Sequence, residues 1–153
     1  MTSPMLDALC AEVVTALRAG GLDAIVLKGP AVARWLYADP AERSYHDIDV
    51  LVDPHELQAA GDVLFGLGFL PPAPSYTEDV PGHALAWNRE RDGGWIDLHY
   101  TLLGAGVSHD RVWDAHRPRR ESLVVGGIEV DVLDEPARAL HLAMHLAQDH
   151  LGQ

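Results

Sequence analysis

Two aspartates in an otherwise hydrophobic segment constrain the fold of this chain more than any other feature. Asp47 and Asp49 lie in the run 47–52, in which the remaining residues are Ile, Val or Leu. Successive side chains of a β-strand point to opposite faces, so a strand here places both carboxylates on one face and Ile48 and Val50 on the other. Adjacent carboxylates repel each other and lose hydration on burial unless positive charge lies between them. The segment therefore predicts a strand whose acidic face binds a divalent cation.

The segment Trp95 to Tyr100 alternates in the same way and predicts a second strand. Asp97 and His99 share one face, so Asp97 is a candidate third carboxylate, and His99 is expected to make a structural hydrogen bond. Such oxygen ligands suit magnesium or manganese, which bind through a few carboxylates together with substrate phosphates. The pattern indicates phosphoryl or nucleotidyl chemistry. The plainer alternative is a set of solvated strand-end residues, as we expect for Asp53, which precedes a proline as a helix cap.

Length, composition and charge limit the class of protein. With 153 residues, of which 48% are hydrophobic, the chain is expected to form one globular domain over residues 1–153. Its 23 acidic and 11 basic residues give a net charge of −12, which repels a phosphate backbone, so we expect no nucleic-acid partner. No apolar run reaches the length of a membrane span, and the N-terminus lacks the features of a signal peptide. We therefore expect a cytoplasmic protein with no membrane partner.

Apolar spacing and turn residues predict the element order α, β, α, β, α, β, β, α, β, β, α. Glycine pairs at 93–94 and 126–127 indicate two β-hairpins. The proline-rich segment Gly68 to Gly82 is predicted to be a loop, a candidate rim or lid. Because the helices cluster early and the hairpins late, the pattern favours an α+β fold with a mixed β-sheet and helices packed against it.

The last predicted helix, about residues 135–151, carries an apolar stripe. Three interpretations stay open: the stripe packs on the sheet, leads into a further helical region, or contributes to an oligomer contact. His141 and His145 stand one turn apart on this helix, a spacing that can bind zinc. The residue after His141 is Leu142 and not the Glu of a helical zinc protease, so helix packing or a rim contact is the favoured role of these histidines. The stripe consists of Leu140, Met144, Ala147 and Leu151.

A short apolar strand ends at Lys28 and Gly29, directly before a predicted helix. This turn offers the backbone N–H groups of Ala31 and Val32 at the positive end of a helix dipole, and Gly29 allows a phosphate to come close. Lys28 is interpreted as a phosphate ligand, with a solvated strand-end lysine as the alternative. Arg43 is interpreted either as a clamp for phosphate oxygens or as a partner of the carboxylates. The turn therefore predicts a nucleotide-phosphate site.

Three segments together resemble the uncharacterised nucleotidyltransferase family within the DNA polymerase beta superfamily. They are Val26 to Tyr37, Arg43-x-x-x-Asp47-Ile-Asp49 and Ile96 to His99. The resemblance runs roughly from Ile25 to His145, and its most specific parts are Leu-Lys-Gly at residues 27–29 and the Asp-Ile-Asp strand. It implies a nucleotidyltransferase-like fold whose mixed sheet binds magnesium, with manganese as the alternative.

The resemblance also implies an activity. The expected reaction moves a nucleoside monophosphate, expected to be AMP, from a nucleoside triphosphate, expected to be ATP, to a hydroxyl of a small molecule or a protein. Asp47 and Asp49 are expected to bind the metal, and Asp97 to complete the metal site and help deprotonate the acceptor hydroxyl. Most of the superfamily carries Gly-Ser or Gly-Gly where this chain has Lys28-Gly29. The alternatives are a partner-binding module with weak or lost catalysis, in a toxin–antitoxin pair or a biosynthetic complex, and a metal-dependent phosphohydrolase.

Overall fold

Strands from distant parts of the chain form one six-stranded mixed sheet in this computed structural model, which describes residues 2–71 and 82–151. The strands are β1 (Ala24–Val26), β2 (Ile48–Val52), β3 (Ala84–Arg89), β4 (Gly94–His99), β5 (Arg120–Val125) and β6 (Ile128–Leu133). They lie side by side in the order β3, β4, β2, β1, β6, β5. Strands β2 and β4 are parallel, as are β1 and β6, while β1 is antiparallel to β2 and both hairpins are antiparallel.

Five α-helices are present among the described residues: α1 (Ser3–Ala19), α2 (Pro30–Leu36), α3 (Leu57–Gly66), α4 (His109–His116) and α5 (Glu135–Leu151). Short 3₁₀ turns occur at Pro40–Glu42, Pro54–Glu56 and Arg117–Arg119. The Asp53 side chain caps the second of these turns by accepting a hydrogen bond of 2.9 Å from the backbone N–H of His55. The order of helices and strands confirms the predicted α+β fold with a mixed sheet. None of the helices in the described ranges is long and apolar enough to span a membrane.

Alternate strand residues build a hydrophobic core on each face of the sheet. On the first face, Ile48 and Val50 of β2 pack with buried leucines and valines of α1 and with α3. On the second face, Leu51 belongs to a smaller core that contains Trp113 of α4. Because the side chains of a strand alternate, Asp49 also points to this second face.

Helix α5 lies on the second face with polar residues turned toward the sheet. Arg138 and His141 are buried, and Ala137 packs against the smaller core. Leu140 of the predicted apolar stripe is 61% exposed, so the stripe is not the face that packs on the sheet. The physical reason is that the sheet beneath α5 carries charged side chains, Asp49 among them, which an apolar stripe would desolvate without compensation. A contact of the stripe with a further helical region or an oligomer partner stays a prediction.

The predicted loop between α3 and β3 is described only at its ends. Leu70 forms an isolated bridge with Asn88 of β3, through backbone hydrogen bonds of 2.7 and 3.3 Å. Residues 72–81, on which the prediction of a rim or lid falls, lie outside the described residues.

Candidate functional site

The parallel pairing of β2 and β4 brings two of the predicted aspartates together. Asp49 lies directly opposite Asp97 in the register of these strands, so both side chains emerge on the second face of the sheet. His99 follows two residues later on the same face. One side-chain ligand atom from each of these three residues lies within 4.8 Å of the others. The structure thus places two carboxylates and an imidazole at one point on the sheet.

Asp49 is the most deeply buried acid of this group, with 1% of its surface exposed. Its Oδ1 lies 3.0 Å from Nε2 of His99 and 2.9 Å from Nζ of Lys28. Burial opposes ionisation, but the hydrogen bond with His99 and the charge of Lys28 outweigh it and hold the pKa of Asp49 below its usual range. Asp49 is therefore an ionised carboxylate at neutral pH, with a cation and an imidazole on the same oxygen.

Asp97 is partly buried and faces negative charge. Burial raises its pKa above the usual range, and the carboxylates of Asp49 and Asp47 raise it further, while the charges of His99 and Lys28 act in the opposite direction. The carboxylates of Asp49 and Asp47 thus act on Asp97 against a single ammonium group, that of Lys28, and the imidazole of His99. A divalent cation would offset the remaining negative charge, and carboxylate oxygens are ligands that magnesium and manganese prefer. The residues present therefore fit a divalent metal ion.

Asp47 lies immediately before β2 and is more exposed than Asp49. Its charge reaches Asp97, so it acts on the same site. Within the described residues, the cluster of close ligand atoms consists of Asp49, Asp97 and His99 and does not include Asp47. Neighbouring strands lie about 4.8 Å apart, whereas alternate residues along one strand are about 6.7 Å apart, so the pairing across strands is the tighter one.

A cleft of about 340 Å³ opens beside these carboxylates. The predicted phosphate-binding residues Lys28, Gly29 and Arg43 line it together with Asp47 and Asp49. Lys28, Gly29 and Arg43 therefore border one cleft with two of the predicted metal ligands, whereas Ala31 and Val32, whose N–H groups the sequence also predicts as phosphate donors, are not among its lining residues. Helix α5 closes another side of this cleft with Leu142, His145 and Leu146.

The turn before α2 differs in detail from the predicted phosphate cradle. Gly29 has a φ of +58°, and a Cβ there would lie 3.3 Å from the carbonyl oxygen of Asp47, so glycine is required. The backbone N–H of Ala31 donates to the carbonyl of Lys28 at 3.2 Å, so this predicted phosphate donor is already engaged within the turn. Nη1 of Arg43 donates to the carbonyl of Gly29 at 3.2 Å, which attaches the guanidinium to the turn.

Lys28 is not the solvated strand-end lysine that the sequence left open. Its side chain is 15% exposed and its ammonium group makes an ion pair with the buried Asp49. Among the described residues, Arg43 makes no ion pair with a carboxylate. It contacts the carbonyl of Gly29 in the turn instead. Lys28 thus contacts Asp49 and lines the same cleft.

Several histidines surround the carboxylates. The sequence predicted this position for His99 but not for His83 or His141. The ring of His83 lies 5.3 Å from that of His99, measured between centroids. His141 of α5 is 3% exposed, and neither of its ring nitrogens has a hydrogen-bond partner among the described residues. Burial lowers the pKa of His141 to about 4, and the charges of His99 and Lys28 lower it too. The spacing of His141 and His145 was the signal that the sequence offered for these histidines. Only the orientation of α5 in the structure shows that His141 faces the site.

Comparison with known proteins identifies the family to which the chain belongs. The family model described as an uncharacterised nucleotidyltransferase matches residues 2–153. No curated protein and no solved structure is significantly similar to the chain. The matched region includes both acidic strands and the turn at Lys28 and Gly29. Because the match covers nearly the whole chain, the protein belongs to the uncharacterised nucleotidyltransferase family.

Proposed function

We propose that this protein is a magnesium-dependent nucleotidyltransferase, with manganese as the alternative ion. It transfers a nucleoside monophosphate, AMP in the leading case, from a nucleoside triphosphate to a hydroxyl of an acceptor. The observation that carries the proposal is the pair of in-register carboxylates, Asp49 and Asp97, which retain uncompensated negative charge beside a cleft lined by Lys28 and Arg43. Acidic and basic groups side by side are what a metal–triphosphate complex requires.

The proposed metal ligands are Asp47, Asp49 and Asp97. A bound divalent ion supplies Lewis-acid polarisation of the phosphoryl group and lowers the charge of the triphosphate. Asp97 is the proposed base that takes the proton of the acceptor hydroxyl, because its carboxylate is less buried than that of Asp49 and lies beside the other proposed metal ligands. Asp49 stays ionised and keeps the orientation that its hydrogen bond with His99 gives it.

The proposed phosphate contacts come from Lys28, Gly29 and Arg43. Arg43 uses one N–H group to contact the carbonyl of Gly29, and a guanidinium carries five N–H donors, so the same side chain retains donors for phosphate oxygens. Gly29 has no side chain at the point where the turn approaches the backbone carbonyl of Asp47, which keeps the turn that carries Lys28 close to the acidic strand. The net charge of −12 favours a cationic acceptor, such as an aminoglycoside, over a nucleic acid.

A second candidate function is a partner-binding module of the same fold with weak or lost catalysis. The observation that favours it is the occupation of Asp49 Oδ1 by both Lys28 and His99. An acidic site whose charge is already partly neutralised by protein groups has less need of a metal ion. The two functions differ in one measurable property, the binding of a nucleoside triphosphate.

Isothermal titration with each nucleoside triphosphate, with and without magnesium, tests the proposal. We expect magnesium-dependent binding by the protein, at least tenfold weaker binding by Asp47→Asn, and unchanged binding by the control Asp114→Asn, whose aspartate is exposed on α4. Addition of candidate hydroxyl acceptors should then release pyrophosphate. If no triphosphate binds in either buffer, the enzyme proposal is wrong and the partner-binding module takes its place.

A further inference from the structure

The contact between Lys28 and Asp49 has a direct consequence for metal binding. The ammonium group of Lys28 lies 2.9 Å from Oδ1 of Asp49, the oxygen that also contacts His99. We infer that Lys28 and a divalent cation compete for Asp49, so that Lys28 makes metal binding depend on the triphosphate. This inference rests on the proposed nucleotide site and adds to it the way in which the metal and nucleotide sites are coupled.

Competition follows from distance and charge. A magnesium ion bound to Oδ1 at roughly 2.1 Å would lie no more than about 5 Å from the nitrogen of Lys28 in its present position. A divalent ion and an ammonium group at that separation repel each other strongly in a site with little water. Asp49 is 1% exposed and Lys28 is 15% exposed, so solvent screens this repulsion only weakly. Metal binding at Asp49 therefore requires Lys28 to move.

A triphosphate supplies the position to which Lys28 moves. Lys28 lines the cleft that Gly29 and Arg43 also line, and its four-carbon chain allows the ammonium group to turn from the carboxylate toward that cleft. Without a phosphate there, the displaced ammonium group loses its ion pair and gains no new one. With a phosphate there, the loss is offset by a new charge-assisted contact. The metal and the triphosphate must then increase each other's affinity by the same factor.

This coupling distinguishes Lys28 from an ordinary phosphate ligand. An ordinary ligand would affect nucleotide binding and leave the affinity for metal alone unchanged. Lys28 acts on both, and it acts in opposite directions: it weakens the binding of metal alone and strengthens the binding of the metal–triphosphate complex. A nucleoside monophosphate offers fewer phosphate oxygens to Lys28, so the coupling should be smaller with AMP than with a triphosphate.

Titration of the full chain with Mn²⁺, once without nucleotide and once with α,β-methylene ATP, tests the inference. Free Mn²⁺ is measured by electron paramagnetic resonance. For the protein we expect Mn²⁺ affinity at least tenfold higher with the nucleotide than without it. Lys28→Met should bind Mn²⁺ alone at least tenfold more tightly than the unchanged protein and should lose most of the coupling. Lys28→Arg, which keeps the charge, should bind Mn²⁺ alone as weakly as the unchanged protein.

Two results would overturn the inference. One is Lys28→Met that binds Mn²⁺ alone no more tightly than the unchanged protein. The other is an unchanged protein whose Mn²⁺ affinity does not respond to the nucleotide although it binds both. Should Lys28→Met fold only when Mn²⁺ is present, the ion replaces the ammonium group and the inference is supported. If Lys28→Met does not fold with Mn²⁺ either, the inference is tested by the same titrations of Lys28→Gln and by the effect of the nucleotide on the Mn²⁺ affinity of the unchanged protein. Absence of nucleotide binding in every variant would instead refute the proposed function, while the titrations with Mn²⁺ alone still test Lys28.

Discussion

Replacement of Asp97 by asparagine should make the metal-free protein more stable, although it removes a proposed catalytic group. Asp97 lies opposite Asp49, and the ligand atoms of the two carboxylates lie within 4.8 Å. Two unit charges at 4.8 Å repel by about 3.5 kcal/mol at an effective dielectric constant of about 20. Lys28 and His99 offset part of this repulsion, and Asp97 is only partly buried, so we expect a net gain of about 1–2 kcal/mol for Asp97→Asn. Asparagine has the same shape, so packing is unchanged.

Thermal denaturation in the presence of EDTA measures this gain. A protein of this size changes its Tm by about 2–4 °C for each kcal/mol, so Asp97→Asn should melt about 2–8 °C higher at neutral pH. The control Asp114→Asn removes an exposed charge from α4 and should change the Tm by less than about 1 °C. Addition of Mn²⁺ should raise the Tm of the unchanged protein more than that of Asp97→Asn, because the variant has lost a metal ligand.

The pH dependence provides an independent check on the cause. The pKa of Asp97 in the folded protein is raised from its ordinary 3.8, so the folded state holds this proton more tightly than the unfolded chain does. The penalty of ionised Asp97 is therefore complete above the raised pKa and disappears as the pH falls toward 3.8. The difference in Tm between Asp97→Asn and the unchanged protein should therefore shrink as the pH falls from neutral toward 3.8. A variant that is equally stable or less stable at neutral pH would refute the electrostatic argument.

Three further substitutions test other parts of the site. Asp49→Asn should destabilise the protein by about 3 kcal/mol in urea denaturation, opposite in sign to Asp97→Asn, because it leaves the partly buried ammonium group of Lys28 without its counter-ion. Equal behaviour of the two variants would contradict the ion pair assigned to Lys28. Gly29→Ala should cost about 1–3 kcal/mol and weaken triphosphate binding in calorimetry, because its φ of +58° strains any residue with a Cβ. His141→Phe should be neutral or stabilising by up to about 1 kcal/mol at pH 7, because it removes two buried nitrogens that have no hydrogen-bond partner among the described residues. The pKa of about 4 also means that the unfolded chain takes up a proton near pH 6.5 that the folded protein binds only near pH 4, so the unchanged protein loses stability as the pH falls between these values. His141→Phe lacks this imidazole and should lose less stability over the same range. Identical pH profiles of the two proteins would contradict the burial of a neutral imidazole.

Local patterns in the sequence were sufficient for the order of elements. The alternation around Asp97 and the glycine turns of the two hairpins are properties of a few neighbouring residues, and the structure reproduces both. The contact between Asp49 and Asp97 was harder to predict, because it depends on the register of two strands that are distant in the chain. The sequence predicted that Asp47, Asp49 and Asp97 belong to one site. It did not reveal that Asp49 and Asp97 are the two carboxylates whose ligand atoms lie close together.

The orientation of α5 lay beyond the sequence for a different reason. An apolar stripe on a helix usually marks the face that packs on a sheet, and Leu140 belongs to such a stripe. Here the sheet surface beneath the helix is charged, so Arg138 and His141 face inward and Leu140 is exposed. A pattern that belongs to the helix alone cannot reveal the polarity of the surface on which it packs. For the same reason the burial of His141 beside Asp49 was not predicted.

The pairing of β1 with β6 also determines when the cover of the site can form. This parallel pair joins Ile25 with Asp131, so it closes a loop that contains most of the chain. Contacts between distant segments form slowly because the entropy of loop closure must be overcome first. Helix α5 follows β6 directly, so it cannot cover Asp49 until that closure is complete. During synthesis the ion pair between Lys28 and Asp49, which joins neighbouring strands, can form before β6 leaves the ribosome, so part of the negative charge of the site is already compensated before α5 covers it.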